Sequence, residues 1–159
     1  MTQDKQKLEK QTKIVSMFDD IAPTYDTANR VMSMGVDKSW RRKACDLSYK
    51  FYGKESISQI VDVACGTGDM MDFWRSRAEK SNIQIKNIVG VDPSTGMVDV
   101  AKKKYPVFQY HIAKATEIPL ENESSDILSI TYGIRNVVER KEALYEFNRV
   151  LKKDGLVVI

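Results

Sequence analysis

The run Ile60-Val61-Asp62-Val63-Ala64-Cys65-Gly66-Thr67-Gly68-Asp69 constrains this chain more than any other stretch. Its apolar half has the length and branching of a buried strand, and it opens directly onto a Gly-x-Gly turn. That arrangement lets a parallel sheet bring backbone N–H groups close to a small-molecule ligand, with a helix N-terminus behind them. A dinucleotide fingerprint would continue to a third glycine, but Met71 stands in its place, so close helix packing over a pyrophosphate is not prepared. Asp62 in the strand and Asp69 at the head of the next helix are unfavourable beside a diphosphate and suit a ligand that carries positive charge.

From residue 57 onward apolar segments alternate with helical patterns, the texture of successive β-α units. Strands are predicted at 59–64, 86–91, 107–112, 126–131 and 155–159, and helices at 69–80, 95–105 and 139–152, the last with a buried stripe of Leu144, Phe147 and Leu151. The expected fold is therefore α/β, a Rossmann-like, mostly parallel sheet with helices on both faces. Upstream, residues 4–22 form an amphipathic helix with Leu8, Ile14, Val15, Phe18 and Ile21 on one face, and Pro23 ends it. A second segment runs from Thr24 to Gly35. Asp37 then reads as the N-cap of a helix whose stripe is Trp40, Ala44, Leu47 and Phe51 and which stops before Gly53. Residues 1–56 are accordingly expected to be a helical lid on a core spanning 57–159, in one structural domain. Gly155-Leu156-Val157-Val158-Ile159 reads as a strand just begun, so the sheet is expected to be incomplete at this end, its open edge available to a second copy or to further chain.

At 159 residues and 42% hydrophobic, the chain has material for one core. A net charge of +3 does not demand a nucleic-acid partner. Basic residues cluster locally in Arg41-Arg42-Lys43 and Lys102-Lys103-Lys104, read as solvated helix faces, with contact to anionic lipid as the alternative. Two cysteines, Cys45 and Cys65, suggest neither a disulfide framework nor a zinc spacing, and no metal is expected. A reducing cytoplasm fits them. No apolar run approaches a membrane span, so any membrane contact is expected to be peripheral.

The second strand ends Ile88-Val89-Gly90-Val91-Asp92. A carboxylate at that tip accepts two hydrogen bonds from a ribose diol, which points to an adenosine ligand. The alternative role for Asp92 is to cap the next helix through Pro93-Ser94-Thr95.

Together the acidic strand, the Gly-x-Gly turn and Asp92 resemble class I S-adenosylmethionine-dependent methyltransferases. The flanks narrow the resemblance. Tyr25-Asp26-Thr27-Ala28-Asn29-Arg30-Val31-Met32-Ser33-Met34-Gly35-Val36-Asp37-Lys38-Ser39-Trp40, Tyr132-Gly133-Ile134-Arg135-Asn136-Val137 and Arg149-Val150-Leu151-Lys152 are similar to signatures of the ubiquinone/menaquinone biosynthesis C-methyltransferases. The resemblance runs from about Phe18 to Ile159. It implies S-adenosyl-L-methionine as cofactor and a reduced isoprenoid quinone precursor as substrate. It also implies that Gly66, Thr67 and Gly68 surround the methionyl part with Asp69 nearby, and that Asp92 binds the ribose. Met97, Lys114 and Ala115 then flank adenine, and Thr131 lies beneath the cofactor. Met97 is read equally well as helix core. Three positions depart from the family pattern: Ala28 where Met is usual, Asp37 where His is usual, and Lys114 where Asn or Asp is usual. An ammonium cannot accept from the adenine amino group, so backbone at Lys114 and Ala115 is expected to read the base.

Methylation of a quinol ring carbon needs an ionised neighbouring hydroxyl, and Arg135 and Asn136 are the residues expected to orient and ionise it, with Tyr25 closing over the cofactor. The alternatives are a loop ion pair for Arg135 and helix packing for Tyr25. His111, the only histidine, is expected to lie inside strand three as a structural residue. Two other readings stand beside this one: a cofactor-binding but inactive piece, and a methyltransferase acting on another small hydrophobic substrate.

Overall fold

The computed structural model describes residues 3–159. In chain order its elements are α1 (Gln3–Ile21), α2 (Tyr25–Ser33), α3 (Val36–Tyr52), β1 (Ser56–Val63), α4 (Asp69–Lys80), β2 (Gln84–Asp92), α5 (Thr95–Lys104), β3 (Gln109–Ile112), β4 (Ser125–Ser129), a 3-10 turn (Ile134–Asn136), α6 (Arg140–Val150) and β5 (Leu151–Val158). The five strands are all parallel, in the order β3-β2-β1-β4-β5, so β1 is central and the chain reverses its winding direction between β1 and β4. Ligands of open α/β sheets bind outside the strand ends at such a reversal, which here is the end of β1.

Two apolar layers hold the sheet. Ile60, Met71, Trp74 and Ile127 pack with Cys45 and Tyr49 of α3 on one face. Val61, Val63, Leu128 and Ile130 pack with Ala143, Phe147 and Val150 of α6 on the other. The β1 segment 60–63 is buried throughout, as a central parallel strand covered on both sides must be. The glycine that lets a helix lie close on this sheet is Gly90. A Cβ there would stand 2.7 Å from the Met71 sulfur and 2.8 Å from the Cys65 sulfur. Close packing of helix on strand, usually prepared by a glycine on the helix, is thus prepared on β2, with Met71 filling the space.

Several expected details shift. The buried face of α3 is not the Trp40, Leu47, Phe51 stripe: these are 58%, 43% and 77% exposed, while Asp37, Cys45, Ser48 and Tyr49 are buried. The helix is turned by about one residue because its inner face carries polar groups, which an apolarity pattern passes over. Asp37 is not the N-cap. α3 starts at Val36, its preceding residue Gly35 has φ 78°, and the Asp37 carboxylate accepts a hydrogen bond from Ser33 at 2.8 Å. On α6 the buried stripe is Ala143, Phe147 and Val150, with Leu144 48% exposed. Leu151 is already in β5, which begins at the helix end instead of at Gly155; the ladder to β4 is interrupted by a bulge, Ser125 pairing with Leu151 and Ile127 with Leu156. β3 is only four residues long, so His111, paired with Val91, lies next to the strand's end and not deep within it. β5 is one edge of the sheet and β3 the other, and Val157 of β5 is 36% exposed. No described helix is long and apolar enough to cross a membrane.

Candidate active site

The turn after β1 needs its glycines. Gly66 and Gly68 have φ 55° and 86°, in the left-handed region open to glycine, and Ala64 just before them is held there too, at φ 53°. The Gly66 N–H is directed at Asp92, donating to its Oδ2 at 2.8 Å, and the Ser94 N–H donates to Oδ1 at 2.9 Å. Asp92 therefore braces the first turn against the second. Ser94 is the actual helix cap, its hydroxyl accepting from the Met97 N–H at 3.1 Å. Each Asp92 oxygen retains a second acceptor position, and the carboxylate borders a cavity of about 460 Å³. Burial pushes its carboxyl up from the ordinary range, opposed by the N–H groups of Ser94 and Gly66. A diol donating two hydrogen bonds would restore the balance in favour of the anion.

That cavity brings together most of the residues anticipated for the site: Gly66, Asp92, Met97, Lys114, Ala115, Thr131, Tyr25, Arg135 and Asn136 all line it. Ile14, Val15 and Phe18 of α1 form an apolar wall, so the amphipathic face of the first helix is turned inward over the strand ends. Met97 is 2% exposed, both core and cavity wall. Tyr25 heads α2 and packs edge-on against Phe18, ring centroids 6.1 Å apart. Burial raises its hydroxyl pKa, while the charges of Arg41 and Arg135 pull it down. Arg135 and Asn136 sit in the 3-10 turn after β4; among the described residues Arg135 forms no ion pair within 4.0 Å. His111 lines neither this cavity nor the smaller one at the turn.

Thr67 and Asp69 line a small adjoining cavity of about 40 Å³, which shares Tyr25, Ala64, Gly66 and Thr131 with the larger one. The Thr67 hydroxyl donates to Asp26 Oδ1 at 2.6 Å. Asp69 accepts from Lys104 at 2.6 Å, Arg30 at 3.0 Å and the Tyr105 hydroxyl at 3.0 Å. Burial alone would raise its carboxyl, but Lys104 above all, with Tyr105 and Arg41, holds it below the usual range. Asp69 is thus an anion already matched to protein cations.

Asp62 is fully enclosed in β1. Its Oδ1 accepts from the Ser129 hydroxyl at 2.6 Å, and Ser129 accepts in turn from the Trp74 indole at 3.0 Å. Burial pushes its carboxyl up to about 7; the Ser129 hydrogen bond and Arg41 lower it, and Asp92 raises it. Arg41, which borders the small cavity, is a site residue that sequence reasoning missed. It lies in a basic triplet, and only the phase of α3 separates it from its solvated neighbours.

A family model described as the ubiE/COQ5 methyltransferase family matches residues 5–159. The chain is 54% identical over 152 residues to the ubiquinone/menaquinone biosynthesis C-methyltransferase UbiE of Campylobacter jejuni, covering 96% of this chain and 64% of that protein. It is 36% identical over 148 residues to the demethylmenaquinone methyltransferase of Chlorobaculum parvum, covering 93% and 59%. The chain therefore spans less than two thirds of the length of these curated relatives. Among solved structures it is similar to a SAM-dependent methyltransferase of Thermotoga maritima, with TM-score 0.64 and 23% identity over 91% of this chain and 60% of that one. It is likewise similar to Streptomyces venezuelae DesVI, with TM-score 0.65 and 21% identity over 86% and 55%.

Proposed function

The chain belongs to the ubiE/COQ5 methyltransferase family, and from that premise we propose that it carries the cofactor half of an enzyme that C-methylates a reduced isoprenoid quinone precursor with S-adenosyl-L-methionine. The observation that carries this reading is the Asp92 carboxylate, fixed by Gly66 and Ser94 at the wall of a cavity reached by Arg135 and Asn136. Bound there, S-adenosyl-L-methionine supplies an electrophilic methyl group on a sulfonium. In this reading residues 1–56 act as the lid and 57–159 as the core, with the substrate reaching the site at the membrane surface.

Asp92 holds the ribose diol, and Met97 with the backbone at Lys114 and Ala115 flanks the base. Lys114 is exposed, so its ammonium stays in water while its backbone does the reading. The Gly66-Thr67-Gly68 turn admits the methionyl arm, and the α1 wall excludes water, which strengthens every charge interaction within. Arg135 donates to the quinol oxygen and stabilises it as the phenolate once its proton has passed to water, making the neighbouring ring carbon nucleophilic, and Asn136 orients the same oxygen; after the carbon takes the methyl group its own proton leaves to water and the aromatic ring is restored. Tyr25 covers the reacting groups. Burial raises its hydroxyl pKa, so the group stays protonated at neutral pH.

Methyl transfer from labelled S-adenosyl-L-methionine to a reduced demethylmenaquinone analogue tests the reading. Arg135→Ala is expected to lower the rate at saturating substrate by about 100-fold, the scale of losing one oxyanion donor. A full rate in that variant removes Arg135 from the chemistry.

A further inference from the structure

The small cavity beside the Gly66-Thr67-Gly68 turn has an unusual charge inventory. Three carboxylates border it, Asp26, Asp62 and Asp69, and among the described residues lining it the cation is Arg41. Carboxylates suit the sulfonium and ammonium of a methionyl arm. That arm also ends in a carboxylate of its own, which needs a cation to receive it in a cavity whose Asp26 and Asp69 already share Lys104.

Arg41 is built to receive one. Its side chain is 10% exposed, and its guanidinium carbon lies 5.4 Å from the centroid of the Tyr132 ring. Its Nε is buried without a hydrogen-bond partner: the Asp37 carboxylate on the preceding turn of α3 is 3.9 Å away, beyond hydrogen-bond range. A buried charged donor left unsatisfied is costly, and such groups mark places where a ligand completes the set. Arg30 has a similar unpaired Nη1, but its Nη2 is committed to Asp69 at 3.0 Å and it borders neither cavity.

Resting on the reading that the site takes S-adenosyl-L-methionine, we propose that Arg41 binds the α-carboxylate of the methionyl arm, through the fork of N–H donors that includes the unpaired Nε. The competing role is purely internal: Arg41 neutralises Asp37 and Asp62 and so keeps α3 seated on the turn. The two roles differ in what they do to ligands of different length. A carboxylate contact matters only to ligands that possess the amino-acid arm, whereas a seating role affects every nucleoside alike.

Calorimetry of the 159-residue chain with S-adenosylhomocysteine and with 5′-methylthioadenosine, which has the same nucleoside and thioether but no amino-acid arm, separates them. For Arg41→Gln, S-adenosylhomocysteine binding is expected to weaken by about 10–100-fold, the loss of a charge-assisted hydrogen bond, with 5′-methylthioadenosine binding little changed. Arg41→Lys, which keeps the charge but not the fork, is expected to fall between. Unchanged S-adenosylhomocysteine affinity, or equal losses for the two ligands, overturns the carboxylate assignment while leaving the cofactor reading intact. Failure of the unsubstituted chain to bind either ligand overturns the cofactor reading itself. If Arg41→Gln does not fold, the ratio of the two affinities in Arg41→Lys decides the matter by the same criterion.

Discussion

The proposed function turns first on Asp92, because the bonds that brace the turn are the bonds that aim its carboxylate. Asp92→Ala is expected to weaken S-adenosylhomocysteine binding by at least about 10-fold in calorimetry, and unchanged affinity would take Asp92 out of the site. Gly90 makes a purely structural case: with Met71 and Cys65 under 3 Å from a built Cβ, Gly90→Ala is expected to cost about 1–3 kcal/mol in chemical denaturation. Asp126, at the far end of the sheet, accepts from Tyr52 at 2.7 Å, from the Ser58 and Gln59 N–H groups at 2.7 and 2.9 Å, from the Ser58 hydroxyl at 2.5 Å and from Lys152 at 2.8 Å. Burial alone would raise its carboxyl, but these donors, Lys152 and Ser58 first, hold it well below the usual range. A depressed native pKa means that the unfolded chain takes up the proton first on acidification. The stabilisation is therefore complete above the ordinary carboxylate pKa of about 4 and is lost as pH falls through the native value. Melting temperatures of the chain and of Asp126→Asn are expected to differ most near neutral pH and to converge in acid. A gap that persists unchanged into acid would contradict this.

The elements above the strand ends are tied down by carboxylates of α1 and α2. Asp26 of α2 is bonded to Thr67 at 2.6 Å and to Lys104 at 2.5 Å, while Asp19 of α1 accepts from the Ser94 hydroxyl at 2.6 Å and the Gly96 N–H at 2.9 Å. Exposed ion pairs are screened by salt, so α1 and α2 are expected to loosen as ionic strength rises. Lys104→Ala is expected to speed amide hydrogen exchange across residues 3–33, and equal exchange in the two proteins would show that Lys104 does not hold the lid. This layer was also the least legible in the sequence. β1, β2 and α4 follow directly from apolar runs punctuated by glycine, and α4 spans 69–80 as its pattern indicates, whereas β3 is shorter and β5 starts earlier than the apolar runs suggest. The face of α3 does not follow, because its inner side carries Asp37 and Arg41 and its apolar Trp40 and Phe51 point outward. Polar groups on an inward helix face look like surface when only hydrophobicity is read, so Arg41 stayed hidden in its basic triplet while Asp92, at a strand tip, did not. Gly90 was visible as a residue but its role was not, since the contact it permits with Met71 is made across two elements.

At the scale of the molecule, five parallel strands with β1 central put Gly66, Asp92, and Thr131 with Arg135 around one cavity from three separate stretches of chain. The alternating pattern made the α/β class readable, and the family signatures made the order of motifs readable. The strand order itself came from long-range pairing, such as Asp62 opposite both Gly90 and Ser129. Family membership is shown, and methyl transfer to a reduced quinone ring is the central proposal that rests on it. It is tested most directly by mass spectrometry of the quinones extracted from cells in which the gene is deleted. The account predicts accumulation of a quinone one methyl group short, restored to the normal species by the intact gene, and an unchanged quinone profile in the deleted strain would contradict it.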